Sequence, residues 1–116
     1  MGTTRALHTL PKAKAYLIVH GGPNDGAMLR LRSKELIIGK DPKKSDLTLD
    51  DRTISGEHIS IRPDGDTFTV TDMASRNGTL VNGRSVHEAH LNDGDVIKIG
   101  HTTLVYKYIS SYVGRA

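Results

Sequence analysis

Ser75-Arg76-Asn77-Gly78-Thr79-Leu80-Val81-Asn82-Gly83 is the stretch whose reading decides the fold. It holds two Asn-Gly pairs separated by Thr79, Leu80 and Val81. Both residue types tolerate positive φ, which makes Asn-Gly the strongest short-range signal for a tight turn. Two such turns leave room for one very short strand, Thr79 to Val81. They also crowd backbone N–H groups, hydroxyls and amides onto one surface. The expectation is a wall of a binding site, held by strands elsewhere.

Working outward, the flanking sequence has the period of strands. Thr67 to Asp72 alternates, with Phe68 and Val70 inward, and His58 to Arg62 alternates before the turn Pro63-Asp64-Gly65-Asp66. Further upstream, Tyr16–His20, Ala27–Arg32, Glu35–Gly39 and Leu47–Leu49 read as short strands. Downstream come Ser85-Val86, a loop carrying His87 and His90, the turn Asn92-Asp93-Gly94, Asp95–Ile99 and the longest β-rich run, Thr102–Ile109. Asx-Gly pairs recur at positions 25, 64, 77, 82 and 93, and no apolar pattern holds a 3.6 period. That pattern predicts an all-β sandwich or barrel of short antiparallel strands. Residues 1–14 contain Pro11, show no period and read as a flexible tail. Residues 110–116 read as a tail or linker, which leaves one domain over 15–109.

Composition narrows the chemistry. The 116 residues suit one domain. With one Phe, four Tyr and no Trp, the core must rest on Val, Ile and Leu. The absence of Cys excludes disulfides, thiolate metal sites and cysteine nucleophiles. No run is long enough for a membrane span and no signal-peptide core follows the start, so a cytoplasmic protein without membrane contact is expected. The net charge of +3 is spread along the chain, with Lys40, Lys43 and Lys44 as the one local group. Scarce aromatics and scattered cations argue for a local anion site and against a nucleic-acid groove.

Three loops carry groups suited to an anion: the polar loop that opens with Gly39-Lys40, the run Thr53-Ile54-Ser55-Gly56-Glu57-His58, and Ser75-Arg76-Asn77-Gly78-Thr79. They supply an ammonium, a guanidinium, hydroxyls, a carboxamide and glycine backbone, the set a phosphate needs. Catalysis is not expected: Ser55 and His58 lack an orienting acid and an oxyanion hole in pattern, and Gly-x-Ser-x-Gly is absent. His87, His90 and His101 lack a carboxylate pattern and read as exposed rather than as metal ligands. Asp41, Asp46, Asp50 and Asp51 lack the Gly and Glu spacing of a calcium loop and read as turn residues. No cofactor is implied. Lys43-Lys44 reads either as solvated surface or as a source of positive potential at the anion site.

The ordered motifs resemble the forkhead-associated (FHA) family. They are Gly39-Lys40, Ser55-Gly56-Glu57-His58, Asp72-Met73-Ala74-Ser75-Arg76-Asn77-Gly78-Thr79, Asn82-Gly83, Gly94-Asp95 and Gly100, in order across about residues 15–109. The resemblance implies a two-sheet antiparallel β-sandwich of about eleven strands, with a phosphothreonine-peptide site in the loops at one end. It implies that Lys40 contacts phosphate or peptide backbone, that Ser55 donates its hydroxyl to phosphate and that Gly56 touches the phosphate region. Arg76 would reach the phosphate and Asn77 the peptide main chain. Gly39, His58, Gly78 and Thr79 would support the site.

Two residues depart from the family pattern. Lys40 stands for an Arg and loses its planar fork. Gly56 lacks a side chain that is basic or polar in many members, leaving Arg76 as the only guanidinium the motifs place there. The expected partner is a phosphothreonine-bearing substrate of a Ser/Thr kinase, bound by a monomeric signalling module. The alternative is phosphate-independent assembly through a sandwich face. Thr3 and Thr4 add a further expectation: once phosphorylated, the tail would fold back into its own site.

Overall fold

The computed structural model describes residues 13–110. Eleven strands form two stacked sheets. They are β1 (Ala13–His20), β2 (Met28–Leu31), β3 (Leu36–Gly39), β4 (Leu47–Thr48), β5 (Ile59–Asp64), β6 (Thr67–Asp72), β7 (Thr79–Val81), β8 (Arg84–Ser85), β9 (Glu88–His90), β10 (Val96–Ile99) and β11 (Thr102–Ser110). The first sheet has the order β2-β1-β11-β10-β7-β8 and the second β4-β3-β5-β6-β9. Most of the tail expected over 1–14, with Thr3 and Thr4, lies outside the described residues, as do 111–116.

Alternation turns sequence into layers. In β1, Ala15, Leu17 and Val19 are buried, and in β10 Ile97 and Ile99 are. From the second sheet, Ile38, Ile59, Ile61 and Val70 meet them. Each such side chain contributes about 1.5–3 kcal/mol on burial. Tyr106 is fully buried and stands edge-on to Phe68 with ring centroids 6.4 Å apart. Its hydroxyl has no hydrogen-bond partner among the described residues. Burial, helped by Tyr108, Asp93 and Asp95, pushes its ionisation up to about 12.

Three expectations are corrected. The sheets are not wholly antiparallel: β3 and β4 pair in parallel, Ile38 opposite Leu47. The segment taken as a loop around His87 and His90 contains β9, an edge strand whose Ala89 sits opposite Val70. The two Asn-Gly pairs do not both make tight turns. Asn82-Gly83 closes a two-residue hairpin between β7 and β8, and both residues have positive φ, 51° and 83°. At the other pair only Gly78 does, with φ 84°. Asn77-Gly78 is no hairpin turn. It ends the 73–78 segment that carries the chain from β6 in one sheet to β7 in the other.

Candidate functional site

The loops after β3, after β4 and after β6 converge at one end of the sandwich. Their anchor is His58, fully buried. Its Nδ1 accepts the Ser55 N–H at 3.0 Å, so that nitrogen carries no proton. Nε2 therefore bears the hydrogen and donates it to the Gly78 carbonyl at 2.8 Å. The His58 backbone joins the Ile38 carbonyl and the Met73 N–H. One side chain thus ties the β4–β5 loop to the β6–β7 crossing.

Gly39 explains the close seating of the first loop. A Cβ there would lie 1.9 Å from the Gly56 carbonyl oxygen, so only glycine fits. The Gly56 carbonyl also accepts the Asp41 N–H and the Ser45 hydroxyl, and the Lys40 N–H donates to the Ser55 carbonyl. A Cβ on Gly56 itself would meet only the Asp41 Cβ, at an ordinary 3.4 Å.

Two carboxylates shape the remaining walls. Asp72 accepts the Ser75 hydroxyl at 2.5 Å, the Thr79 hydroxyl at 2.6 Å and the Ser75 N–H at 3.0 Å. Burial opposes ionisation there, but the Ser75 and Thr79 hydrogen bonds outweigh it and hold Asp72 below its ordinary value. The Ser75 hydroxyl in turn accepts the Gly78 N–H. Asp51 accepts the Thr53 N–H and hydroxyl on one oxygen, and the His101 N–H and Thr102 hydroxyl on the other. Burial again raises its pKa, and these four donors overcome it, leaving about 2. Asp51 so fastens the β4–β5 loop to the β10–β11 turn. At that turn a Cβ on Gly100 would come within 2.2 Å of the Thr53 hydroxyl, at a φ of 57°.

The cleft left between these loops holds about 190 Å³. Lys40, Ser55, Gly56, Arg76 and Asn77 all line it. Asn77 donates its amide to the Thr53 carbonyl at 2.7 Å, and the Ser55 hydroxyl accepts the Arg76 N–H at 3.1 Å. Arg52 lines the same cleft. The motifs place one guanidinium there and the structure places two; Arg52 and Thr53, close enough in sequence to Ser55 to influence what is bound, both line the cleft. His87, His90 and His101 fall before β9, on β9 and on the β10–β11 turn, and do not form a metal-ligating group among the described residues. Asp41 and Asp51 do cap turns, each accepting the N–H two residues on.

Residues 18–108 match the model of a family described as the inner membrane component of T3SS, cytoplasmic domain, a domain of FHA type. A solved structure from a structural and functional analysis of phosphothreonine-dependent FHA domain interactions superposes with a TM-score of 0.75 at 35% identity. It covers 81% of this chain and 95% of that one. The chain is an FHA domain. Among curated relatives, the oxoglutarate dehydrogenase inhibitor of Corynebacterium jeikeium is 40% identical over 84% of this FHA domain's chain and 67% of its own. The glycogen accumulation regulator GarA of Mycolicibacterium smegmatis is 39% identical over 90% and 66%. The chain therefore spans about two thirds of these relatives' length. No helix among the described residues is long and apolar enough to cross a membrane.

Proposed function

We propose that this FHA domain binds proteins carrying a phosphorylated threonine and so mediates phosphorylation-dependent protein–protein contacts in signalling. The observation that carries the reading is the 190 Å³ cleft, which Lys40, Arg52 and Arg76 line together with Ser55 and Asn77. A dianionic phosphate suits a cleft lined by cations and short donors, and charge-assisted bonds are about twice as strong as neutral ones. In this reading Ser55 and Arg76 hold the phosphate with Lys40, Gly56 offers backbone and Asn77 holds the peptide main chain. Gly39, His58, Gly78 and Thr79 keep those groups in place.

The solved FHA neighbour concerned with phosphothreonine-dependent interactions supports the choice of ligand. The relatives described as a regulator and an inhibitor support a role acting on a partner, with no chemical step assigned to this chain. A kinase substrate in the cytoplasm is the partner that fits.

A degenerate phosphothreonine peptide library, titrated by fluorescence anisotropy beside its unphosphorylated and phosphoserine counterparts, tests the reading. Binding confined to the phosphothreonine form is expected. Equal binding of the phosphorylated and plain forms overturns it.

A further inference from the structure

The two sheets differ sharply in charge. The strands of the β2-β1-β11-β10-β7-β8 sheet carry Lys14, Arg30, Lys98, Lys107 and Arg84, and no Asp or Glu. Those of the other sheet carry Arg62 against Asp64, Asp72 and Glu88. The cationic sheet also presents apolar side chains to solvent. Because Leu17, Val19, Ile97, Leu104 and Tyr106 point inward, their neighbours Ile18, Val96 and Val105 point outward.

Strand register sets these outward residues in line. Met28 lies opposite Ile18, Ile18 opposite Val105, and Val105 opposite Val96. The result is an unbroken apolar row across four strands, about 14 Å long at ordinary strand spacing. Met28 is 58% exposed and Val96 39%. Cations flank the row on both sides. On one side Arg30 stacks over the Tyr16 ring, 5.7 Å from its centroid, with Lys107 beyond Tyr16. On the other side Lys98 stands opposite Leu80, itself 36% exposed. Of Lys14, Arg30, Lys98 and Lys107, only Lys107 has a carboxylate partner among the described residues, Asp93 at 3.3 Å.

We infer that this face is a second docking surface, for a protein partner that presents carboxylates around an apolar ridge. It goes beyond the phosphothreonine reading because it needs no phosphate. Charge selects the occupant. A second copy docked about a two-fold axis would set this cationic face against itself. Residues 1–12, with Arg5 and Lys12, and residues 111–116, with Arg115, hold no Asp or Glu, so these two segments do not complement it either. A nucleic acid would satisfy the cations but leave the apolar row facing phosphates and water. An acidic protein surface with a leucine-like ridge satisfies both, with the charges steering approach and the row excluding water. The face also runs into the loop end. Leu80 and Lys98 line a cleft of about 280 Å³ together with Thr53, Asn77 and Gly78. One partner can therefore lie across the sheet and reach the phosphate cleft.

The probe is an unphosphorylated helical peptide of about 18 residues, with Leu on one face and Glu on the rest. It is titrated into the ¹⁵N-labelled full chain, with the same peptide carrying Lys for Glu as control. Amide shifts at Ile18, Val96, Lys98 and Val105 are expected, and the affinity should fall severalfold between about 50 and 300 mM salt. The exposed substitutions Lys98→Glu and Met28→Ser should each weaken binding by about tenfold while leaving the spectrum dispersed. Shifts confined to the Ser55 and Asn77 loops, or equal shifts with the Lys peptide, overturn the inference. So do self-association of the chain that Met28→Ser abolishes, and tighter binding of a short DNA strand to the same residues. Because the probe carries no phosphate, its failure leaves the phosphothreonine reading untouched, and the reverse also holds.

Discussion

Replacing Asp51 with Asn should damage the binding end of the molecule although residue 51 bears no contact group of its own. The carboxylate takes four donors, two on each oxygen. The hydroxyls of Thr53 and Thr102 can turn away, but the N–H groups of Thr53 and His101 cannot. In D51N one of those N–H groups must face an amide NH₂. If it is the Thr53 N–H it is left unpaired, whereas the His101 N–H keeps the Thr53 hydroxyl at 3.1 Å as a second acceptor; loss of the carboxylate bond costs about 1–2 kcal/mol. Loss of the charge adds to this. A carboxyl that ionises at about 2 rather than 3.8 contributes about 2 kcal/mol at neutral pH, and about half that once solvent screening of a partly exposed group is allowed for. The expected loss is about 2–3 kcal/mol, a fall in Tm of roughly 10–20 °C for a domain of this size.

The pH dependence separates the two contributions. Because the folded carboxyl ionises below its unfolded value, its contribution is complete above pH 3.8 and fades as pH falls through that value towards 2. Urea unfolding of both proteins from pH 7 to 2.5 should therefore show the gap narrowing below pH 4. Phosphopeptide affinity should drop as well, since the Thr53 carbonyl that Asp51 positions is the acceptor for Asn77. A stability gap below about 1 kcal/mol at pH 7 refutes the reasoning. So does a gap that stays constant down to pH 2.5.

Further expectations rest on separate contacts. Ser55→Ala and Arg76→Ala should each weaken phosphothreonine-peptide binding about ten- to a hundredfold, the worth of one charge-assisted bond, with Tm nearly unchanged; anisotropy and differential scanning fluorimetry read the pair. Gly56→Arg should be tolerated, because its Cβ finds ordinary contact, and together with Lys40→Arg it should tighten binding severalfold by restoring planar forks. Gly39→Ala places a methyl on the Gly56 carbonyl, and urea unfolding should show a loss of about 3 kcal/mol or more. Tyr106→Phe removes a buried hydroxyl that has no partner among the described residues and should leave stability unchanged or raise it by about 1 kcal/mol; a loss above that in calorimetry would mean the hydroxyl is satisfied.

The sequence made the sandwich legible because alternation and turn chemistry act over a few residues. Asn82-Gly83 turned as expected since a two-residue hairpin needs positive φ at both positions, which that pair supplies. Asn77-Gly78 carries the same letters but is governed by distant groups: its amide serves Thr53 and its glycine carbonyl serves His58. Strand β9 escaped notice because three residues at a sheet edge offer one inward side chain, Ala89, too little for a period. The parallel β3–β4 pair was illegible for a different reason, since pairing direction leaves no local mark. Among the site residues, Ser55, Arg76 and Asn77 stood out by chemistry and order. The joining role of Asp51 did not, because its partners lie as far off as Thr102, which no local pattern reveals.

The fastening of Asp51 to the β10–β11 turn has a consequence for how the chain matures. On a ribosome, the residues of the cleft emerge well before His101 and Thr102, and β1 must wait for β11, its partner along all eight of its residues. Pairings of such long sequence separation form late in folding, after most loop-closure entropy has been overcome. The cleft is thus complete only once the last strand is in place. A nascent or truncated chain ending before residue 100 would carry every anion-facing side chain and still present no formed site, so phosphopeptide capture would report a finished domain.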